Sequence, residues 1–216
     1  MKFTLTYDGE LPSGGNGSKV AKKAKWAIRE QFHPQLVELW GLNPALKRLP
    51  LHSIVPKSGT FPWVEGHHFG EEGVLPPDFK MADDEIDLCA LIERGADKYK
   101  PIVRNSYALT CSLNILFLRK EAAGRVYQGG DLDNRIKTLL DALSVPHIYH
   151  PRPPHLAGVD PMHCLLEDDA LVTGLNVKSE RLLSRPGTSE NEVHLVVEVD
   201  VRVSDTRNYN AMFLGD

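Results

Sequence analysis

Apolar and polar residues alternate along several parts of the chain in a way that predicts β-strands. Alternation at residues 2–7 predicts a first strand, because successive side chains of a strand point to opposite faces. Runs rich in β-branched, aromatic and other apolar residues at 106–118, 170–182 and 193–203 predict three more strands. These four segments therefore supply the expected sheet.

Two other segments repeat their apolar residues every three or four positions, which predicts helices. The first helix is expected at 19–40, and Pro34 inside it predicts a kink or a break. The second is expected at 131–143 and ends before Pro146. Its buried stripe consists of Leu132, Ile136, Leu139, Leu140 and Leu143.

The order strand, helix, strand, helix, strand, strand predicts an α/β or α+β fold with a mixed sheet and helices packed on it. We expect one domain at 1–204, interrupted by insertions at about 43–101 and 147–166. The remaining tail, 205–216, is expected to be disordered or to dock on a partner subunit.

The first insertion contains only weak signals of local structure. Short strands are expected at 52–55 and 73–75, and a helix at 82–95. The expected helix would bury Ile86, Leu88, Leu91 and Ile92.

Composition describes a folded protein that can bury a core. Of the 216 residues, 42% are hydrophobic and 25% are charged, which is typical of globular domains. No apolar run approaches a membrane span, and the N-terminus lacks the apolar centre of a signal peptide, so we expect a cytoplasmic protein without a membrane partner. The formal net charge is −4, so binding to nucleic acid would depend on local basic patches.

The three cysteines and nine histidines match no common metal motif. The cysteines are widely separated and odd in number, which predicts buried free thiols. One group of candidate zinc ligands crowds the second insertion: His147, His150, His155, His163 and Cys164. Its spacing fits no zinc motif, so a lid or a DNA-contacting loop near Asp168 and Asp169 is favoured. EF-hand, Walker, GxSxG and HExxH patterns do not occur in the sequence.

The second predicted helix begins with two carboxylates. Asp131 occupies the N-cap position and Asp133 the first turn, and helices favour acidic residues at both places. Asp133, Lys137 and Asp141 share one face, as in a surface ion-pair ladder. Carboxylates beside a lysine also suit a hard divalent cation at a phosphate. Taken alone, these residues favour the structural explanation over metal chemistry.

A second acidic cluster, Glu167-Asp168-Asp169, directly precedes the strand expected at 170–182. Three adjacent carboxylates repel one another, and a nearby cation would relieve that repulsion. Strand ends beside helix N-termini are frequent positions for functional sites in α/β folds. The cluster therefore strengthens the metal hypothesis, although a solvated acidic turn is the structural alternative.

The acidic motifs resemble, in order, those of the RusA family of Holliday junction resolvases. The pattern is Asp-Leu-Asp-Asn at 131–134, Lys137, Asp-Ala-Leu at 141–143, and Asp168-Asp169 before the next strand. The resemblance covers 106–203 well and the first forty residues loosely.

What the resemblance implies is a homodimeric, Mg²⁺-dependent DNA endonuclease, with Mn²⁺ as an alternative ion. Such enzymes act in DNA recombination and repair and resolve four-way junctions by paired, symmetric cuts. The resemblance assigns the catalytic roles to Asp131, Asp133, Asp169 and Lys137. It implies metal binding by the three catalytic aspartates together with Asp168, and a supporting role for Asn134 and Asp141.

Basic residues at two places are candidates for DNA binding. One group, with Lys25 and Arg29 nearby, belongs to the first helix: Lys19, Lys22 and Lys23. The other lies near the acidic motifs: Arg119, Lys120, Arg125 and Arg135. A solvated charged face is the alternative for the first group.

Two features depart from the RusA pattern. Residues 147–166 separate the acidic helix from Asp168-Asp169, and Gln128, Gly129 and Gly130 stand where basic residues are usual. Junction resolution therefore has two alternatives. One is a metal-dependent nuclease for other branched DNA, and the other is a DNA-binding module without catalytic activity.

Overall fold

The computed structural model describes residues 1–12, 18–57, 80–120, 131–183 and 192–215, and for Leu51, His52 and Asp131 it describes the backbone alone. Within these residues the chain has a mixed α+β fold. The strands are β1 (Lys2–Glu10), β2 (Ile54–Pro56), β3 (Glu85–Asp87), β4 (Ile92–Arg94), β5 (Asp97–Val103), β6 (Leu109–Arg119), β7 (Met162–Leu166), β8 (Val172–Arg181) and β9 (Glu192–Val203). The α-helices are α1 (Lys19–Leu42), α2 (Pro44–Arg48) and α3 (Asp131–Leu143).

The main sheet has four strands in the order β1-β9-β6-β8. β9 is antiparallel to both of its neighbours, whereas β6 and β8 are parallel. A parallel pair needs a long crossover between its strands, and α3 lies within that crossover. Along β6 the residues Leu113, Ile115 and Phe117 are buried, while Asn114 between them is exposed. One face of the sheet therefore carries the core.

α1 covers this face and also protects one edge of the sheet. Ser18 caps the helix by accepting a hydrogen bond from the Ala21 backbone N–H. The side-chain amides of Gln31 and Gln35 bond both the N–H and the C=O of Asp8 and Thr6, respectively. These bonds occupy backbone groups of β1 that an edge strand would otherwise leave open to a second strand.

The break predicted at Pro34 is wrong, because α1 is continuous from Lys19 to Leu42. Proline removes one backbone hydrogen bond from a helix. Phe32 and Leu36 on either side are both buried in the main core. Their packing holds the two halves of the helix together across the missing bond.

A second sheet lies in regions that were treated as insertions. Its order is β4-β5-β7, with β4 antiparallel and β7 parallel to β5. The helix predicted at 82–95 is wrong, because that segment contains β3, which pairs with β2, and β4. β2 matches the short strand expected at 52–55, and the strand expected at 73–75 lies outside the described residues. The segment 147–166 also contributes β7, so it is more than a loop.

The C-terminal tail packs on its own chain. A 3-10 helix at Asn208–Phe213 contacts α2 and β9. The buried amide of Asn210 donates to the carbonyls of Tyr107 and Asp205, and Phe213 belongs to the main core. The described tail is therefore ordered by intramolecular contacts, which neither sequence-based alternative anticipated.

Cys111 and Cys164 are buried free thiols and Cys89 is half-buried, and burial raises the pKa of both buried thiols to about 12. None of the described helices has the length and apolar character that a membrane span requires.

A pair of histidines joins α1 to β7. The backbone N–H of His163 donates to Nδ1 of His33 over 3.0 Å, and the two rings lie 5.4 Å apart. The Trp40 ring packs against His163 as well. Burial, followed by the charges of Lys100 and His33, lowers the pKa of His163 from 6.5 to about 4.

We expect the fold to lose stability as the pH falls from about 6.5 to about 4. In this window the unfolded chain binds a proton at His163 and the folded chain does not. His163→Phe keeps an aromatic ring and the backbone bond to His33, so it should flatten the dependence of unfolding free energy on pH. Urea denaturation at several pH values measures this slope. An equal slope in both proteins would contradict the assignment to His163.

Candidate functional site

Helix α3 presents one face to the core and another to the surface. Ile136, Leu139 and Leu143 are buried in the main core, which confirms the central part of the predicted apolar stripe. Leu132 and Leu140 are partly buried and pack against the same core. On the outer face Asp133 and Lys137 are exposed and Asp141 is half-buried. The fold therefore leaves the charged face predicted from the sequence accessible.

A cleft of about 170 Å³ opens where the C-terminal part of α3 meets α1 and the end of β7. Its walls combine cations from α1 with an acidic turn that follows β7. The lining residues are Lys25, Arg29, Asp141, Ser144, Val145, Pro146, His147, His150, Glu167, Asp168 and Asp169. The structure thus brings both sequence-predicted acidic regions, α3 and the 167–169 cluster, to one cleft.

Backbone hydrogen bonds fix the position of the acidic turn. The N–H of Val145, just beyond α3, donates to the carbonyl of Leu166 over 2.9 Å, and the N–H of Glu167 donates to Val103 over 2.9 Å. The Glu167 carboxylate accepts a hydrogen bond from the Asn105 N–H. These bonds tie the turn to α3 on one side and to β5 on the other.

The three acidic residues of the turn have different surroundings. Glu167 is held by Asn105, as described above. Asp168 caps the 3-10 turn Asp169–Leu171, because its Oδ1 accepts a hydrogen bond from the Ala170 N–H over 2.9 Å. Asp169 is exposed. Within the described part of the chain no hydrogen bond or ion pair involves its carboxylate, which leaves Asp169 as the carboxylate best placed to bind a ligand.

The cations of the cleft have structural partners. Lys25 Nζ lies 2.7 Å from Asp141 Oδ2, and the Lys25 side chain is only 5% exposed. Arg29 is also buried and donates through Nη2 to the carbonyls of Asp141 and Ser144. These carbonyls belong to the C-terminal end of α3, where the helix dipole favours a cation. Lys25 and Arg29 therefore join α1 to α3 and are not part of an exposed basic surface.

The ion-pair ladder that would explain the charged face structurally is not formed by the described residues. Asp141 pairs with Lys25 of α1. Neither Asp133 nor Lys137 takes part in an ion pair with any other described side chain. Both side chains are nevertheless exposed on the α3 face that reaches the cleft at Asp141. An ion-pair ladder therefore does not explain why Asp133 and Lys137 are present on this face.

The predicted metal ligands are only partly assembled among the described residues. Lys137 and Asp133 lie four and eight residues before Asp141 in α3. Along the helix axis they are therefore about 6 Å and about 12 Å from Asp141. The 3-10 turn at Asp169 also contacts α3. Asp133, Asn134 and Lys137 do not line the cleft, and the side chain of Asp131 lies outside the described set.

Among the described side chains, no three His, Cys, Asp or Glu residues are grouped so that they could hold a metal ion. The Asp131 side chain is not among them, so the triad of Asp131, Asp133 and Asp169 stays a prediction. The histidines and Cys164 of the second insertion likewise form no such group in the described structure. His147 and His150 instead line the cleft with Asp168 and Asp169, where a substrate-contacting loop was expected.

The predicted DNA-binding residues fall into two groups in the structure. Lys19, Lys22 and Lys23 on α1 and Lys120 after β6 are exposed, as DNA contacts require. Arg125 lies outside the described residues. Arg119 and Arg135 are each only 1% exposed, and a buried guanidinium does not reach a phosphate from that position. Their assignment to direct DNA contact stays a prediction, which this burial does not support.

The burial of Arg119 and Arg135 follows from the two-residue period of β6 and the helical period of α3, which also predicted this strand and this helix. Arg119 is two residues beyond Phe117 in β6 and so points to the core face. Arg135 precedes Leu139 by four residues and lies at the border of the apolar stripe of α3. The sequence thus contained the signal that both side chains turn inward.

A second groove adjoins the cleft and was not anticipated. It has a volume of about 250 Å³. Lys22, Lys23 and Trp26 of α1 form one side, and Tyr149 and His150 belong to the other. The cleft and the groove share Lys25, Arg29 and His150 as lining residues, so they are direct neighbours.

The chain matches no known protein-family model, no curated protein and no solved structure with which it was compared. The resemblance to the RusA family therefore rests on the order and spacing of the acidic motifs alone.

Proposed function

We propose that the protein is a Mg²⁺-dependent, structure-selective DNA endonuclease of RusA type that resolves four-way junctions in recombination and repair. One observation carries the proposal. The exposed carboxylate of Asp169 lies on a turn packed against α3, whose exposed face bears Asp133 and Lys137 without an ion-pair partner among the described residues. The ion-pair ladder that would be the structural alternative for this helix face is not formed by the described residues.

The donor set fits a hard divalent cation. Asp131, Asp133 and Asp169, with Asp168 beside them, would hold Mg²⁺ through carboxylate oxygens, the ligands this ion prefers. When bound, the ion would supply Lewis-acid stabilisation of the phosphate and a water of lowered pKa. Lys137, exposed on the same helix face, would place its ammonium group against the negative charge that develops on the phosphate. Asp141 and Asn134 would support the site from α3.

The substrate would approach along the groove beside the cleft, on the side that carries the α1 lysines. Lys22 and Lys23 are exposed at the groove that adjoins the cleft, and Lys19 lies one helical turn earlier. Exposed lysines that neutralise phosphates supply salt-dependent affinity. The protein as a whole is acidic, so this local patch would direct DNA to the site. Two symmetric cuts across a junction require two active sites, which a homodimer would provide.

We expect the purified protein to introduce paired, symmetric nicks into a labelled four-way junction in the presence of Mg²⁺ or Mn²⁺, and none in EDTA. A linear duplex of the same sequence should be cut much more slowly. Separation of the products on a denaturing gel measures the position of each nick.

The same assay distinguishes the alternatives. Cleavage of a flap or a three-way branch in preference to the junction would identify a nuclease for other branched DNA. Junction binding that is unchanged by metal, without any cleavage, would contradict the endonuclease proposal and would identify a DNA-binding module.

A further inference from the structure

The groove beside the cleft combines cations with aromatic rings. Lys22 and Lys23 are exposed along one side, and the largely buried Trp26 belongs to the same wall. The opposite loop contributes Tyr149, which is 80% exposed. The lining residues described for this groove include no acidic side chain.

Tyr149 is exposed and yet has a defined stacking partner, and the stability of the core does not explain this combination. A tyrosine that is mostly exposed adds little to the core, and isolated large apolar residues at a surface are common. Tyr149 is not isolated, because its ring stacks on His147 with centroids 5.0 Å apart and an angle of 28°. His147 lines the acidic cleft, whereas Tyr149 lines the groove. The stacked pair therefore joins a wall of the cleft to a wall of the groove.

The electrostatic field in the groove favours an anion. Four lining residues carry basic side chains: Lys22, Lys23, Lys25 and Arg29. Burial, followed by the charges of Lys25 and Lys22, lowers the pKa of His150 from its usual value, as expected for an imidazole in a positive environment. Lys25 is committed to Asp141, so Lys22 and Lys23 are the cations exposed for a ligand.

We infer that this groove binds one unpaired nucleotide of the DNA strand that enters the cleft, with its phosphate on Lys22 and Lys23 and its base stacked on Tyr149. Grooves for single strands combine cations along the backbone path with aromatic rings on which bases stack. A volume of about 250 Å³ lies slightly below the usual range of ligand pockets, which limits the occupant to a single nucleotide and excludes a duplex. The inference rests on the proposed function and extends it to the unpaired bases of a branched substrate.

The test measures binding by fluorescence anisotropy in EDTA, so that cleavage does not contribute. The probes are a short labelled single strand, a matched strand with abasic sites, and a matched duplex. Tyr149→Ala should raise the Kd for the ordinary single strand by about tenfold and should leave the abasic strand unaffected. Tyr149→Phe keeps the ring and should bind as the unmodified protein does.

The lysines have their own controls. The double variant Lys22→Gln/Lys23→Gln should weaken binding of the ordinary and abasic strands equally, because phosphates are present in both. Lys47→Gln removes an exposed lysine of α2 outside the groove and should change neither. Circular dichroism of each variant checks that the fold is retained.

Two results would overturn the inference: an unchanged Kd for the ordinary single strand in Tyr149→Ala, or an equal loss on the abasic strand. Failure of the endonuclease proposal looks different. Tyr149-dependent binding of the single strand, by a protein that cuts no branched DNA in Mg²⁺, would retain the groove as a nucleic-acid site and remove only the catalytic assignment. If the protein cuts junctions but Tyr149→Ala does not change its binding of the single strand, the catalytic assignment is retained and the groove assignment is removed.

Discussion

Replacement of Asp133 by Asn should reduce junction cleavage by on the order of a thousandfold or more while leaving junction binding largely intact. The substitution keeps the size of the side chain and removes the negative charge that would hold the metal ion. Asp133 is exposed and has no described ion pair, so the fold loses little. Single-turnover cleavage in Mg²⁺ measures the rate, and anisotropy in EDTA measures the binding.

Asp169→Asn should behave in the same way, because its exposed carboxylate lies on the turn packed against α3. Glu38→Gln is a matched control. It removes one exposed carboxylate near the far end of α1 and should leave both rate and affinity unchanged. If Asp133→Asn or Asp169→Asn retains the full cleavage rate, the metal assignment is wrong and the acidic residues serve helix capping and solubility.

The long elements of the fold could be predicted because each carries its own periodicity. β1, β6, β9 and α3 each contain enough residues for alternation or a helical stripe to be counted. β3 and β4 have three residues each, which is too few for any period to show. β3 pairs with the distant β2, whereas β4 forms a hairpin with β5 across a short turn at Gly95. The apolar spacing over 82–95 favoured a helix because neither pairing shows in so short a strand.

The same distinction between local and long-range information applies to the candidate site. The sequence placed Asp133, Lys137 and Asp141 on one helix face, and the structure agrees. It could not show that Asp141 pairs with Lys25, because 116 positions separate the two residues. Lys25 and Arg29 looked like members of a basic surface for this reason. Only the packing of α1 against α3 shows that they are structural.

The ion pair of Lys25 with Asp141 should contribute more to stability than any surface pair. The Lys25 side chain is 5% exposed and that of Asp141 is 30% exposed. Removing one member of a buried pair leaves the other charge desolvated, whereas replacing both by apolar residues is often neutral. Because Asp141 is partly solvated, we expect Asp141→Leu to lower the free energy of unfolding by about 2–3 kcal/mol.

The double variant Lys25→Met/Asp141→Leu should recover most of that loss, since it also removes the Lys25 ammonium that the single variant leaves without its carboxylate. Arg29 bonds the backbone carbonyl of Asp141, so this contact persists in every variant. Urea denaturation measures the free energy of unfolding of each variant, provided that its linear dependence on urea concentration has the same slope in all of them. If the free energy of unfolding of Asp141→Leu is within about 0.5 kcal/mol of that of the unmodified protein, the pair is an ordinary surface interaction. A double variant as unstable as the single would show that Leu and Met do not fit between the helices, and would locate the cost in packing rather than in charge.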